Sequence, residues 1–494
     1  MPQRQATPSS SSSSSSLPSS SNIRTGVLLV MVVCILTYSM VIDFKGNIDL
    51  DDFIDYEEIE QEMESYNPVQ IVKYKSPIDE RLFIPWPPGV SYNEFEFKHS
   101  KNLNMLMGRQ LEDGDRQSKY QTCHNAKQSN ERTKRFNQIW ESADRMISRQ
   151  GLWDPESAIY RDVLDALATA CIVNVEVLDR EEYESGTGDK WVVTLEGGQK
   201  AMLKIVWESK GDMKKGGLCN DGFEMPTSEI AAFHLHRILG FHNVPIVVGR
   251  RLDLLKDIRP NASPAVARQI KITETLAGNE SCVRGFCLYC KQEHSLCPRD
   301  NIIEVSLTYW VPRRLKLHTK PDLFMPYSTS RMEKWSVYGF NNKTYCDEVR
   351  QTIEPYEEVG MYLDLFDFSV LDTLMYHFDT KHYTVDDGSS AHGLTVRLDH
   401  GRAFCAYDKH EKHIFLAPVY QCCTLRKSTY ENLLKLRGGK LSEMMKAALK
   451  SDPLAPILKS VWYTVLDDRL RIILELIDKC ISRNGSRQVL IVGK

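Results

Sequence analysis

Thirteen cysteines constrain this chain more than any other feature. Cys34 sits in an apolar run near the start, and the rest are Cys123, Cys171, Cys219, Cys282, Cys287, Cys290, Cys297, Cys346, Cys405, Cys422, Cys423 and Cys480. Such usage fits an oxidising compartment, where cysteines pair and staple a fold. The cluster from Cys282 to Cys297 has spacings compatible with zinc. Zinc knuckles normally pair two close couplets, however, and an oxidising location favours disulfides.

The compartment has support elsewhere in the chain. Gly26 to Ile42, GVLLVMVVCILTYSMVI, carries no charge and is preceded by Arg24 and followed by Asp43. A bilayer helix takes ~17–25 residues, and a positive N-terminal flank keeps the tail cytoplasmic. Residues 26–42 are therefore expected to be an uncleaved signal-anchor transmembrane helix. Its rival is a cleaved signal peptide, for which no clear small-x-small site follows. The Ser/Pro-rich residues 1–25 read as a disordered cytoplasmic tail. Sequons at Asn261, Asn279, Asn342 and Asn484 are candidate glycosylation sites, although Pro264 makes the first a poor acceptor. A net charge of -4, with no basic stripe interleaved with aromatics, argues against nucleic-acid binding.

Residues 43–151 show little periodicity and read as a lumenal stem and N-terminal extension. Asp49 to Glu64 is a carboxylate-rich, self-repelling segment, and Ser76 to Val90 is studded with prolines. The folded region is expected at 152–494. A helix-like stretch, Tyr160 to Ile172, leads to strands at Val175–Leu178 and Trp191–Lys204, the latter turning at Gly197-Gly198. Lys204 closes that hairpin, where a lysine can meet phosphate as a mobile point charge. Glu224 precedes a helix from Ser228, its expected cap, to Leu239, with Gly240 as its stop. Either Glu224 or Glu229 is placed to pair with Lys204. His234 and His236 read as packing and surface residues. Ser306 to Pro312 is a strand running into a connector that can line a nucleotide pocket.

The chemistry centres on Leu374 to Phe404. A long apolar helix, Tyr362 to Phe378, precedes Asp379 in FDTKHY, and the strand Leu394–Leu398 precedes Asp399 in LDHG. Two carboxylates so placed can serve as proton acceptor and metal ligand in phosphoryl transfer. An isolated aspartate after a strand is more often a turn or cap residue, so the case rests on the rest of the chain. With strands first and helices later, the class is α+β in two lobes.

Several blocks, in order and at matching separations, carry a resemblance: EGGQKAMLK, SEIAAFHLHRILGF, CVRGFCLYC with Cys297, SLTYWVP, FDTKHY, RLDHGRAF, QCCTLRKSTY and DDRLRIILELIDKCISRNG. The chain from about Leu152 to Gly485 is similar to the atypical secretory-pathway kinases of family with sequence similarity 20, which includes the Golgi casein kinase and the glycosaminoglycan xylosylkinase. The first 150 residues lie outside it. The resemblance implies an atypical two-lobed kinase-like fold, with a strand-rich N-lobe and a helix-rich C-lobe, stabilised by disulfides Cys282–Cys297, Cys287–Cys290, Cys346–Cys422 and Cys423–Cys480. It implies Asp379 as catalytic base and Lys204, Glu224 and Asp399 around ATP. Glu224 and Asp399 would hold Mn²⁺ or Mg²⁺, and Thr308, Tyr309, Trp310 and Val311 would form the adenine hinge.

Details such as Cys287-Leu-Tyr-Cys290 and the Trp of SLTYWVP look more like the xylosylkinase branch. The implied function is then transfer of the ATP γ-phosphate to the 2-hydroxyl of xylose in the proteoglycan linkage region, by a single-pass type II Golgi membrane protein with a lumenal catalytic domain. RKSTY and the terminal RNG lean toward a secretory-pathway Ser/Thr protein kinase, which stays as an alternative. A homodimer, or a heterodimer with a related kinase, is compatible with either. The family's catalytic loop usually reads Asp-Arg-His-His-Tyr-Glu, whereas this chain reads Asp379-Thr380-Lys381-His382-Tyr383-Thr384. The residues preceding the base are Tyr376-His377, the position after Asp399 is His400, and Ile205 follows Lys204. The absent arginine and glutamate motivate a third reading, a pseudokinase that activates a relative. Asp386 or Asp387 is the candidate to compensate.

Overall fold

A computed structural model describes residues 130–178, 190–206, 225–275, 278–284, 295–318, 340–341, 343–352, 359–377, 381–405 and 415–493. All of them fall in one compact unit, Tyr92–Lys494.

Folded structure starts earlier than Leu152. Helix α1 (Asn130–Met146) is strongly charged, yet Phe136, Trp140 and Ala143 form one buried stripe at 3–4 spacing. Only those three anchors distinguish it in the sequence from a solvated charged segment. Helix α2 (Ala158–Thr169) is capped by the Ser157 side chain and buries Tyr160, Val163, Ala166 and Leu167.

The chain then builds β1 (Ile172–Val177), β2 (Trp191–Leu195), β3 (Lys200–Ile205), α3 (Pro226–Leu239), β4 (Val247–Asp253), α4 (Pro264–Gln269), β5 (Ile270–Thr275), β6 (Gly278–Arg284), β7 (Ser295–Leu296) and β8 (Ile302–Tyr309). Five strands pair antiparallel in the order β1-β2-β3-β8-β4. The β2–β3 turn needs left-handed backbone at Gly197 and Gly198, and a Cβ on Gly197 would stand 2.7 Å from the Asn137 nitrogen of α1. Glycine at 197 therefore serves both the turn and the docking of α1. Helix α3 starts one turn before its expected cap. Met225 is the N-cap and Pro226 opens the helix, while Ser228, inside it, donates its hydroxyl to the Ala403 carbonyl at 2.7 Å. Gly240 ends α3 in the left-handed conformation, as expected.

Beyond β8 the chain crosses to a second sheet through Trp310–Arg314. Strand β9 (Leu315–His318) is followed by α5 (Lys343–Thr352), α6 (Val359–Met375), β10 (Lys381–Val385) and β11 (Thr395–Leu398), and the three strands pair antiparallel in the order β11-β10-β9. Helix α6 is buried nearly all round. It ends at Met375, three residues short of expectation, where Tyr376 takes a left-handed conformation. The chain closes with α7 (Ala417–Cys422), β12 (Leu425–Arg426), α8 (Lys427–Lys435), α9 (Lys440–Lys450), α10 (Val461–Asn484), α11 (Ser486–Val489) and β13 (Leu490–Ile491), the last strand running parallel to β12.

The first half is strand-rich and the second helix-rich, around one apolar core. Disulfides join Cys282 to Cys297, Cys346 of α5 to Cys422 of α7, and Cys423 to Cys480 of α10. Cys171 and Cys405 are disulfide-bonded as well. Cys287 and Cys290 lie outside the described residues, as does the apolar segment 26–42. Among the described residues no helix is long and apolar enough to cross a membrane.

Candidate active site

Lys204 points from β3 into a buried cluster of charges. Its Nζ meets Glu229 Oε1, one turn into α3, at 2.6 Å, and on its other side Asp399 Oδ1. Of the two glutamates placed near Lys204 from sequence, Glu229 pairs with it, and Glu224 lies outside the described residues. Two further lysines converge on the second oxygen of Asp399: Lys190 at 3.0 Å and Lys381 at 2.6 Å. Lys190 precedes β2, and Lys381 opens β10 directly across from Leu398.

Asp399 sits just past β11 in a left-handed backbone conformation, with φ at 69°. For an aspartate that conformation is uncommon, and it clusters at functional sites. Burial opposes the charge on Asp399, but Lys190, Lys204 and Lys381 outweigh it and hold the carboxyl well below its usual range. Glu229 behaves alike: burial is offset by Lys204 and His400, and the acid is strengthened. The His400 amide donates to Glu229 Oε2 at 3.0 Å. Three buried imidazoles back this face, with the His400 ring 5.2 Å from that of His377 and 5.3 Å from that of His236. Beneath them Arg397 Nη2 binds Asp372 Oδ1 at 2.6 Å, both side chains buried. His236 is thus a core residue of the site's floor, and sequence spacing alone did not show its neighbours.

The connector lies alongside. Tyr309 and Val311 are buried, and Thr308 and Trp310 are half-buried. The Tyr309 amide donates to the Ile246 carbonyl at 2.9 Å and the Trp310 amide to the Lys200 carbonyl at 3.2 Å. The Trp310 carbonyl accepts from Gln199 Nε2 at 2.9 Å. Helix α1 braces this edge: Arg313 Nη2 donates to the Asp144 carbonyl at 3.0 Å, and the Trp140 ring stands 6.5 Å from that of Tyr309. The two aspartates expected to compensate for the absent glutamate are engaged elsewhere. Asp387 faces Arg313 at 3.8 Å and Asp386 faces His392 at 3.8 Å. Thr384, which stands where the resemblance implies a glutamate, is buried in β10 opposite Thr395.

Asp379 lies outside the described residues, between the end of α6 and Lys381. Among the described residues no group of three or more His, Cys, Asp or Glu is gathered for a metal. The carboxylates of Asp399 and Glu229, which share Lys204, are the hard oxygen donors that suit Mn²⁺ or Mg²⁺. Of the sequons, Asn261 is half-buried and its amide nitrogen donates to the carbonyls of Ile172, at 3.0 Å, and Asp257, at 3.1 Å. Asn484 exchanges hydrogen bonds with Asn341 at 2.9 and 3.0 Å. Asn279 is in β6, and Asn342 lies outside the described residues. Lys190 and Lys381 were missed as site residues. The sequence signal was available only for Lys381, as a departure two positions after Asp379.

Comparison with known proteins bears on the family. Residues 138–489 match the family model described as Golgi casein kinase, C-terminal, Fam20. The human glycosaminoglycan xylosylkinase is 32% identical over 71% of this chain and 82% of its own length. The human extracellular serine/threonine protein kinase FAM20C is 32% identical over 69% of this chain and 58% of its own. A solved structure of hydra Fam20 with sugar superposes with a TM-score of 0.62 at 29% identity, over 72% of this chain and 98% of that one. A family model that matches over most of the chain, and a relative 32% identical over most of both lengths, lead to one assignment: this chain belongs to the Fam20 kinase family.

Proposed function

We propose that this protein is an ATP-dependent kinase that phosphorylates the 2-hydroxyl of xylose in the glycosaminoglycan–protein linkage region of proteoglycans. The observation that carries the reading is Lys204, held between Glu229 and Asp399 in a buried site, in a chain whose relatives include glycosaminoglycan xylosylkinases. Asp379 accepts the proton of the attacking hydroxyl. Lys204 grips the phosphates, and the connector from Thr308 to Val311 receives adenine. Asp399, Glu229 and, from the sequence, Glu224 would hold Mn²⁺ or Mg²⁺. That cation supplies neutralisation of the phosphate charge. Most of the rate enhancement comes from positioning and fixed charge, which is why few residues carry it. The same reading places the protein in the Golgi membrane through residues 26–42, with the kinase domain lumenal.

The test is phosphotransfer from labelled ATP with Mn²⁺, offering a xylose-containing tetrasaccharide and casein side by side. Label on the sugar that falls at least ~100-fold in Asp399→Ala supports the reading. Label on casein alone moves the assignment to a protein kinase. A second reading, a pseudokinase that activates a relative, is favoured by the buried Thr384, which offers no carboxylate where the family has one. Its signature is nucleotide binding without transfer, together with a rise in the activity of an added relative.

A further inference from the structure

Lys190 and Lys381 are two contacts of Asp399 to which the kinase reading gives no role. Asp399 Oδ2 accepts from both Lys381, at 2.6 Å, and Lys190, at 3.0 Å, while Oδ1 faces Lys204, which also satisfies Glu229. Three ammonium groups thus surround two carboxylates. A divalent cation that takes an oxygen of Asp399 must displace an ammonium from it, because like charges at contact distance repel strongly in so buried a site. The three lysines are not equally able to leave. Lys190 and Lys204 are each 6% exposed and Lys381 is 18% exposed. The Lys381 backbone is meanwhile fixed by the pairing of β10 with β11, immediately beside Asp399. Its flexible four-carbon stem can swing while its Cα stays in place. On the kinase reading, the oxygens of a triphosphate held by Lys204 are new anions for an ammonium released from Asp399, which both lysines contact.

Building on the kinase reading, we propose that Lys381 is an exchanging cation: it neutralises Asp399 when no nucleotide is bound and moves to the terminal phosphate of ATP when the metal arrives. Two consequences of opposite sign follow. Lys381 competes with the metal for Asp399 in the empty protein, and it adds affinity for ATP over ADP in the loaded one. A residue that merely supported the fold would not produce both.

The experiment is calorimetric titration of the full chain with Mn²⁺ alone, then with ATP and with ADP in the presence of Mn²⁺. Wild type is compared with Lys381→Ala, Lys381→Arg and, as a control on an exposed strand far along the sequence, Lys271→Ala. Unfolding midpoints without ligand establish that each variant is folded. The expected result for Lys381→Ala is at least tenfold tighter binding of Mn²⁺ alone, at least tenfold weaker ATP and less than threefold change in ADP. Lys381→Arg and Lys271→Ala should behave as wild type. Unchanged Mn²⁺ affinity, or equal losses for ATP and ADP, would overturn the exchange. A wild-type protein that binds neither nucleotide would instead overturn the kinase reading, and the exchange with it. Should Lys381→Ala not fold, Lys381→Met is titrated in its place against the same criteria.

Discussion

At the scale of residues, the buried histidines make the site's floor sensitive to pH. Burial, reinforced by His400 and Arg397, holds the His236 imidazole well below its ordinary value. The unfolded chain titrates near 6.5, so below about that pH it binds a proton that the folded protein refuses. Stability from this group is therefore complete above about pH 6.5 and declines as pH falls, by at most about 1.4 kcal/mol per unit. The unfolding midpoint, followed from pH 7.5 to 5.5, should drop, and His236→Leu should flatten that drop. A variant with an unchanged pH slope would show that His236 takes a proton without penalty. The charged residues illustrate what a sequence does and does not disclose. Lys204 and Asp399 were legible because each ends a strand in a recognisable block. Their convergence with Lys190 depends on a contact between residues 209 positions apart, which no local pattern encodes.

At the scale of elements, the RKSTY block explains how α6 is held. Arg426 Nε binds Asp367 Oδ2 at 2.7 Å, its guanidinium also contacts Asp364, and Thr429 donates to Asp367 Oδ1 at 2.6 Å. The same arginine donates to the carbonyls of Gly493 and Gly360. Arg426→Ala strands two partly or fully buried carboxylates and should cost about 3–5 kcal/mol, read by chemical denaturation. A loss under 1 kcal/mol would mean that the helix is held by its apolar faces alone. The β2–β3 hairpin gives a second case. Alanine at Gly197 must adopt φ near 86° and collide with α1, a strain of about 1–2 kcal/mol before the clash is counted. Gly198 has nothing within 4 Å of a Cβ, so Gly198→Ala should bear the backbone strain only. Equal destabilisation of the two variants would show that α1 yields to the added methyl. The hairpin itself was legible from Gly-Gly between apolar runs. The partner helix that requires glycine was not, because only its three buried residues set it apart from a solvated charged segment.

At the scale of the whole molecule, the strand-first, helix-later order was readable, and so was the family, since independent blocks agree in order and spacing. Helix α1 precedes the start expected at residue 152, for the reason just given. The cysteines foretold a cross-linked chain, and the bridges tie α5 to α7 and the end of α7 to α10, elements separated by 76 and 57 positions. Closing loops of that size restricts the unfolded chain by roughly 4 kcal/mol each on the entropic model. Helix α1 carries the remaining consequence. It touches the β2–β3 hairpin through Gly197 and the connector through Arg313, so the two walls beside the adenine position proposed above share one brace. A wall fixed in advance leaves little to rearrange when a ligand arrives. Stopped-flow mixing with a fluorescent adenine nucleotide should therefore give a single phase whose rate rises linearly with concentration. A rate that saturates would reveal a closing step and place the slow event elsewhere in the fold. Speed of nucleotide capture would then depend on a helix that, read from sequence alone, falls in the expected stem.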